Sequence, residues 1–233
     1  GDAMTETLTE LEQLQAEFDR FRRRARRNAR KAQADGLLMG VVSMLTPRDV
    51  VCDCGANVGD VTAQLAASGA HVHAFDPDPY CIDTLKKRFA DAPNVTIHEA
   101  ALGTREGTIQ LMRAVNFDEN PKGASVKSTV LEGGRMIDQD LEHAIDVRLL
   151  DFPAFLRDLI AEHGEIAFVK MDVEGAELDL LEAMEAAGLF DKIRLTVAET
   201  HENKFKELRP RFRALRERLS EAYPITRVNL DWI

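Results

Sequence analysis

The chain has 233 residues, 45% of them apolar and 30% charged, with a net charge of −10. That length holds one α/β domain with a full core plus an appendage, and the composition excludes both a disordered and a membrane-embedded chain. No apolar run approaches the roughly 20 residues that a membrane span needs, and an acidic body argues against general nucleic-acid affinity.

Residues 1–3, "GDA" ahead of Met4, read as a cloning remnant. The segment after them has no apolar stretch of the signal-peptide kind, so a cytoplasmic location is expected. Leu8, Leu11, Leu14, Phe18 and Phe21 recur at spacings of three and four, the stripe of an amphipathic helix. Neither Gly nor Pro interrupts before Gly36, so residues 1–36 are expected to form a helical extension and 37–233 the domain. Residues 20–31, "RFRRRARRNARK", carry seven Arg and one Lys with no acid. Removing those eight leaves 22 basic against 40 acidic residues, a balance of −18. The basic stretch reads as a solvated helix face paired with the acidic body, as a site for an anionic acceptor, or as a contact for an anionic membrane surface without stable insertion. Nucleic acid ranks last, because no aromatic stacking surface accompanies the charge. The apolar stripe also makes a homodimer through this helix an open possibility.

From about residue 49 short apolar runs alternate with helical segments. Strands are expected at 50–54, 71–76, 95–100, 166–172 and 193–199, with further short ones at 107–112, 145–150 and 224–229, the last at or near an edge. Gly69 and Gly188 each follow a periodic apolar stretch and read as helix stops. This alternation predicts an α/β fold, doubly wound, with a mainly parallel sheet and helices on both faces. Cys52, Cys54 and Cys81 are an odd set whose spacing suits neither a disulfide framework nor zinc. They read as buried thiols, with Cys52 and Cys54 on opposite faces of their strand. Residues 116–140 break the alternation with Pro and three Gly, a long loop of the kind that selects a ligand.

"VVCDCGANVGD" at 50–60 places Asp53, Gly55, Ala56, Asn57 and Gly59 where an open parallel sheet binds its ligand. A nicotinamide cofactor would call for G-x-G-x-x-G, and here only Gly55 and Gly59 are present. Asp53 beside the turn disfavours a diphosphate and suits a cationic ligand. S-adenosylmethionine is such a ligand, with a sulfonium, an ammonium and a ribose. Asp76 ends the next strand, where a carboxylate can accept both ribose hydroxyls, and Glu99 and Ala100 end the third, where adenine would lie. The plainer alternative makes Asp53 and Asp76 ordinary strand-end or cap residues.

"DCGANVGD", "AFDPDP", "AALGTREGTIQL", "VKMDVEGAELDLLEAM" and "AETH" together resemble the FkbM family of S-adenosylmethionine-dependent methyltransferases over about residues 49–205, most specifically at Lys170 to Glu177. The resemblance implies a class I methyltransferase (Rossmann-like) fold and methylation of a hydroxyl on a sugar, polyketide or other small-molecule or glycan acceptor. The family commonly has Glu where Asp76 stands, a departure of one methylene that keeps the ribose acceptor.

For the chemistry, Lys170 and Asp172 close the fourth expected strand and Glu199 and His201 the fifth, so both ends should open on one crevice. Asp172 is expected to contact the cofactor or orient the base, and His201 to take the acceptor's proton with Glu199 in support. A capping or surface role is the alternative for His201. For Glu174 and Glu177 the alternative is helix N-terminal charge. Asp172, Glu199 and His201 also have the donor set of a hard divalent ion, although nothing in the spacing requires a metal. His71, His73, His98, His143 and His163 read as strand or surface residues. The rival to catalysis is a non-catalytic Rossmann-like binding module, with a nicotinamide oxidoreductase behind it.

Overall fold

The computed structural model describes residues 2–112 and 144–233. The expected ligand-selecting loop at 116–140, and His143 with it, lie outside the described residues.

Six parallel strands form the main sheet: β1 (Val50–Cys54), β2 (His71–Asp76), β3 (Val95–Glu99), β7 (Ile166–Met171), β8 (Ile193–Ala198) and β9 (Val228–Asn229). Their order across the sheet is β3-β2-β1-β7-β8-β9. The chain winds outward from β1 in one direction through β2 and β3, then returns at β7 and winds the other way. β1 and β7, paired parallel with Cys54 opposite Met171, are therefore the switch point. The expected 224–229 run contributes only two residues at the edge beside β8.

Three strands leave this sheet. β4 (Ala101–Gly103), β5 (Gly107–Met112) and β6 (Ala144–Asp151) make a second sheet in the order β4-β6-β5, with β6 parallel to β4 and antiparallel to β5. The run expected at 95–100 ends at Glu99, and β4, which was not expected, starts one residue on, because the chain changes sheets at Ala100.

The helices are α1 (Asp2–Met44), α2 (Asp60–Ala67), α3 (Pro79–Arg88), α4 (Phe152–His163), α5 (Glu177–Ala186) and α6 (Arg209–Ala222). α4, α5 and α6 bury Phe152, Leu156, Leu178, Leu181, Phe212 and Leu215 on one face of the sheet. α1 and α2 bury Ala34, Leu38 and Leu65 on the other, and each such side chain contributes about 1.5–3 kcal/mol once covered. Asp78 and Asp151 start α3 and α4 by accepting from Tyr80 and Ala154 N–H, each with a proline in the first turn.

α1 overruns its expected end. It passes Gly36 and Gly40 and stops at Met44, because Ala34 and Leu38, with Leu37 and Val41, anchor the last turns on the core beside Trp232. That burial outweighs the roughly 1 kcal/mol that a helical glycine costs. The Cys52–Cys54 assignment is corrected too. Both face the α4–α6 side, since residues two apart on a strand share a face. All three cysteines are buried free thiols.

Candidate active site

The chain leaves β1 at Gly55, with φ +83°, and a Cβ there would lie 1.7 Å from the Asp172 carbonyl oxygen. Only glycine allows the two chain segments at the switch point to pass this closely. Gly55 and Ala56 N–H both donate to the Phe75 carbonyl, at 3.0 and 2.9 Å, which pins the loop to the end of β2. Gly59, expected under the ligand, packs elsewhere. At φ +95° it starts α2 against α3, where a Cβ would meet the Phe89 ring at 2.7 Å.

Asp76 at the end of β2 is held entirely by backbone. Its Oδ2 accepts from Asn57 N–H and its Oδ1 from Asp78 N–H, both at 2.9 Å, so each oxygen keeps a lone pair for a ligand. Burial raises its pKa to about 7 against the pull of those two donors.

The structure gives Asp53 another part. Fully buried, it accepts from Thr62 Oγ1 at 2.6 Å and pairs with Lys170 Nζ at 3.1 Å. The Lys170 ammonium also donates to the Gly55 carbonyl at 2.8 Å. Burial opposes its charge, but Asp53 and Asp172 outweigh that and push its pKa up to about 12. Asp53 lies outside the cavity lining, while Lys170 belongs to it and braces the glycine loop from below.

A cavity of about 340 Å³ opens above these strand ends, within the range of small-molecule sites. Gly55, Ala56, Asn57 and Asp76 border it, with Ala100, Ala101 and Leu102 as an apolar wall and Asp172 and Glu174 at the far side. Glu99 is not among them. It is exposed on β3, because the chain turns inward only at Ala100, one residue later.

At the far side, four carboxylates surround one imidazole. His201 Nδ1 lies 2.9 Å from Glu177 Oε1, and its Nε2 lies 3.5 Å from Asp172, 3.4 Å from Glu174 and 3.4 Å from Glu199. Glu177 opens the first turn of α5 and is fully buried. Besides His201 it takes the N–H groups of Val173 and Gly175, each at 2.9 Å. Glu174 is ion-paired to Lys204, and Glu199 is placed by its own N–H on the Met171 carbonyl. Burial works against charge on His201, but Glu174 and Glu177 overcome it and raise its pKa to about 11. Burial and the Asp172 charge raise Glu199 to about 7. The surrounding carboxylates thus favour the protonated ring, so His201 could take the acceptor's proton only after giving up one of its own. Asp172, Glu199 and His201 each turn one ligand atom inward, all within 4.8 Å of one another.

Thr62, Ala101 and Leu102 were not legible as site residues. Glu177 carried a signal in its place within "VKMDVEGAE", while Thr62 had none, since its tie to Asp53 exists only once α2 lies along β1. The remaining described histidines sit as expected, His71 and His73 on β2, His98 on β3 and His163 ending α4. Burial holds His73 and His98 neutral, with pKa values near 3 and 4.

A parallel sheet with a glycine loop at its switch point and a ligand-facing acid on the neighbouring strand defines a class I, Rossmann-like methyltransferase domain. The profile of the methyltransferase FkbM domain matches residues 53–223, and the chain belongs to that family of enzymes. It is 27% identical over 213 residues to the methyltransferase sdnD of Sordaria araneosa, covering 82% of this chain and 80% of that one. It is 30% identical over 181 residues to the 31-O-demethyl-FK506 methyltransferase FkbM of Streptomyces tacrolimicus, covering 68% and 67%. With the hexuronic acid methyltransferase AglP of Haloferax volcanii it shares 28% identity over 156 residues, covering 66% and 56%. The chain thus spans little more than half the length of this third relative. No helix among the described residues is long and apolar enough to cross a membrane.

Proposed function

We propose that the chain methylates a hydroxyl of a small molecule or glycan, with S-adenosylmethionine as the donor. The observation that carries this reading is the course of the cavity, from Asp76 past the glycine loop to Asp172. It joins a diol-binding carboxylate to a cluster able to take up a proton.

The residues fit that cofactor. Asp76 offers one free lone pair on each oxygen, the arrangement two ribose hydroxyls need. Ala100, Ala101 and Leu102 offer a flat apolar wall to a purine. Asp172 and Glu174 supply carboxylates near an ammonium or sulfonium, while Lys170 is neutralised by Asp53. The cofactor supplies a methyl group on a good leaving group. The carboxylates around His201 would take the proton that the acceptor's hydroxyl gives up on methylation. Holding oxygen and methyl in line accounts for much of the acceleration.

Among the relatives, one is named for 31-O-demethyl-FK506 and one for a hexuronic acid, which supports a hydroxyl-bearing small molecule or sugar. The test is calorimetric titration with S-adenosylhomocysteine on wild type and Asp76→Ala, followed by a screen of sugar and polyketide acceptors. Micromolar binding lost in the variant is expected. Folded wild-type protein that binds none would end the reading.

A further inference from the structure

We propose that Asp172, Glu199 and His201 bind one divalent cation of the Mg²⁺ or Mn²⁺ kind, and that the ion holds and acidifies the acceptor's hydroxyl. The ion's use rests on the methyltransferase reading, but its binding does not.

The His201 ring is oriented as a ligand would be. Its Nδ1 is tied to a buried Glu177 that is itself clamped by two backbone N–H groups, which leaves Nε2 facing Asp172, Glu174 and Glu199, and an ion bound there would displace the Nε2 proton. A carboxylate behind a histidine is the usual outer support of a metal-bound imidazole. Asp172 provides a second sign, for its Oδ1 is buried and the nearest cationic group to it is that Nε2, a long 3.5 Å away. A buried carboxylate oxygen so loosely partnered is rare. The nearby ammonium groups are already engaged, Lys170 by Asp53 and Gly55 and Lys204 by Glu174.

Ligands to an octahedral Mg²⁺ at about 2.1 Å stand about 3 Å apart. The 3.4 and 3.5 Å separations around Nε2 need only a small contraction to meet that. Two carboxylate oxygens and one imidazole suit Mn²⁺ or Mg²⁺ better than the thiolate-loving metals. Asp172 borders the cavity as well as the cluster, so the ion would sit where the acceptor's oxygen has to be.

The experiment is titration of the full chain with MnCl₂, followed by electron paramagnetic resonance, with S-adenosylhomocysteine calorimetry on the same samples. One Mn²⁺ per chain at micromolar affinity, displaced by Mg²⁺, is expected, with at least tenfold weaker binding in Glu199→Gln and His201→Gln. Cofactor binding in those variants reports that they are folded, and if His201→Gln fails to fold, Glu199→Gln carries the comparison. Wild-type affinity no better than that of the variants overturns the site. Mn²⁺ binding without cofactor binding would overturn the methyltransferase reading and leave the site standing.

Along α1, a different observation carries a second inference. Leu11, Leu14, Phe18 and Phe21 are 55–67% exposed, and the first side chain buried against the domain is Ala34. So long an arm with a bare apolar seam is marginal alone in water. Its charge is polarised: Glu10, Glu12, Glu17 and Asp19 precede the eight bases of residues 20–31. We infer that a second copy of this helix covers the seam, running antiparallel. Centring the pair between Phe18 and Phe21 sets Phe18 against Phe21 across the interface. The same register sets Glu10 against Lys31 and Glu17 against Arg24, the flanking positions that fix partner orientation. A parallel pair would instead lay acid beside acid and base beside base.

Light scattering on the eluting full chain should give a dimer. Glu10→Arg with Glu17→Arg should give a monomer, and adding Arg24→Glu with Lys31→Glu to that chain should restore the dimer. A monomeric wild type overturns the inference, as does a dimer that the fourfold exchange fails to restore. Binding of a monomer to vesicles containing phosphatidylserine would assign the seam to lipid and overturn it equally.

Discussion

The two ends of the cavity are built from different materials. At the β2 end, Asp76 is fixed by two backbone N–H groups, and the loop that supplies one of them is shaped by Gly55. At the β7–β8 end, Asp172, Glu174, Glu177 and Glu199 gather around His201 through their side chains, and Glu177 alone of the five side chains is clamped by backbone N–H groups. A backbone-built end has a fixed shape, so it suits a part of the ligand that never changes. A side-chain cluster shares its charge, so removing one member alters all the others, and such a cluster can answer to a proton, an ion or a varied acceptor.

The sharpest way to break the first end is Gly55→Ala. With a Cβ at 1.7 Å from a carbonyl oxygen and φ at +83°, the loop has to move, and a loss of about 3 kcal/mol or more is expected in thermal or denaturant unfolding. A variant as stable as wild type would mean that the loop is far softer than drawn. Lys170→Met should cost a similar amount, about 3–5 kcal/mol, because it strands the Asp53 charge in the core. Adding Asp53→Asn should recover much of that, and if it does not, the pair is not what braces the loop.

Asp76→Ala removes the carboxylate proposed to accept the ribose hydroxyls and should weaken S-adenosylhomocysteine by about 10- to 100-fold. Retained affinity would move the ribose elsewhere. The smallest effect expected is one of pH. Asp76 titrates near 7 and its ionised form accepts from the hydroxyls, so binding should be weak below that value and strengthen above it. A roughly tenfold gain in affinity between pH 6 and pH 8 is expected by calorimetry, and it should vanish in Asp76→Asn. A flat profile would place the ionisation outside the ligand's reach.

Much of this architecture was legible because it is local. β1, β2, β7 and β8 could be read from runs of apolar and β-branched residues, the helices from periodicity, and the glycine loop from its place after β1. Asp76 was legible for the same reason, as an acid closing a strand. The errors fall where an answer depends on what lies across the sheet. Asp53 and Asp76 look alike in sequence, each an acid at or near a strand end. One is neutralised by a lysine 117 residues away on the strand that abuts β1, while the other forms no ion pair among the described residues and is held by backbone N–H groups. Glu177 and His201, 24 residues apart, became partners only when β7 and β8 paired.

By itself the sequence determined the strands, the helices, the doubly wound order and the family, since each follows from short-range pattern and from motifs contiguous in the chain. Tertiary structure alone decided which acids carry charge into the cavity. It also decided that β4, β5 and β6 form their own sheet, and that His201 sits among four carboxylates. The physical reason is that an ionisable group takes its character from the charges and burial within a few ångströms, and those neighbours come from parts of the chain that only folding brings together.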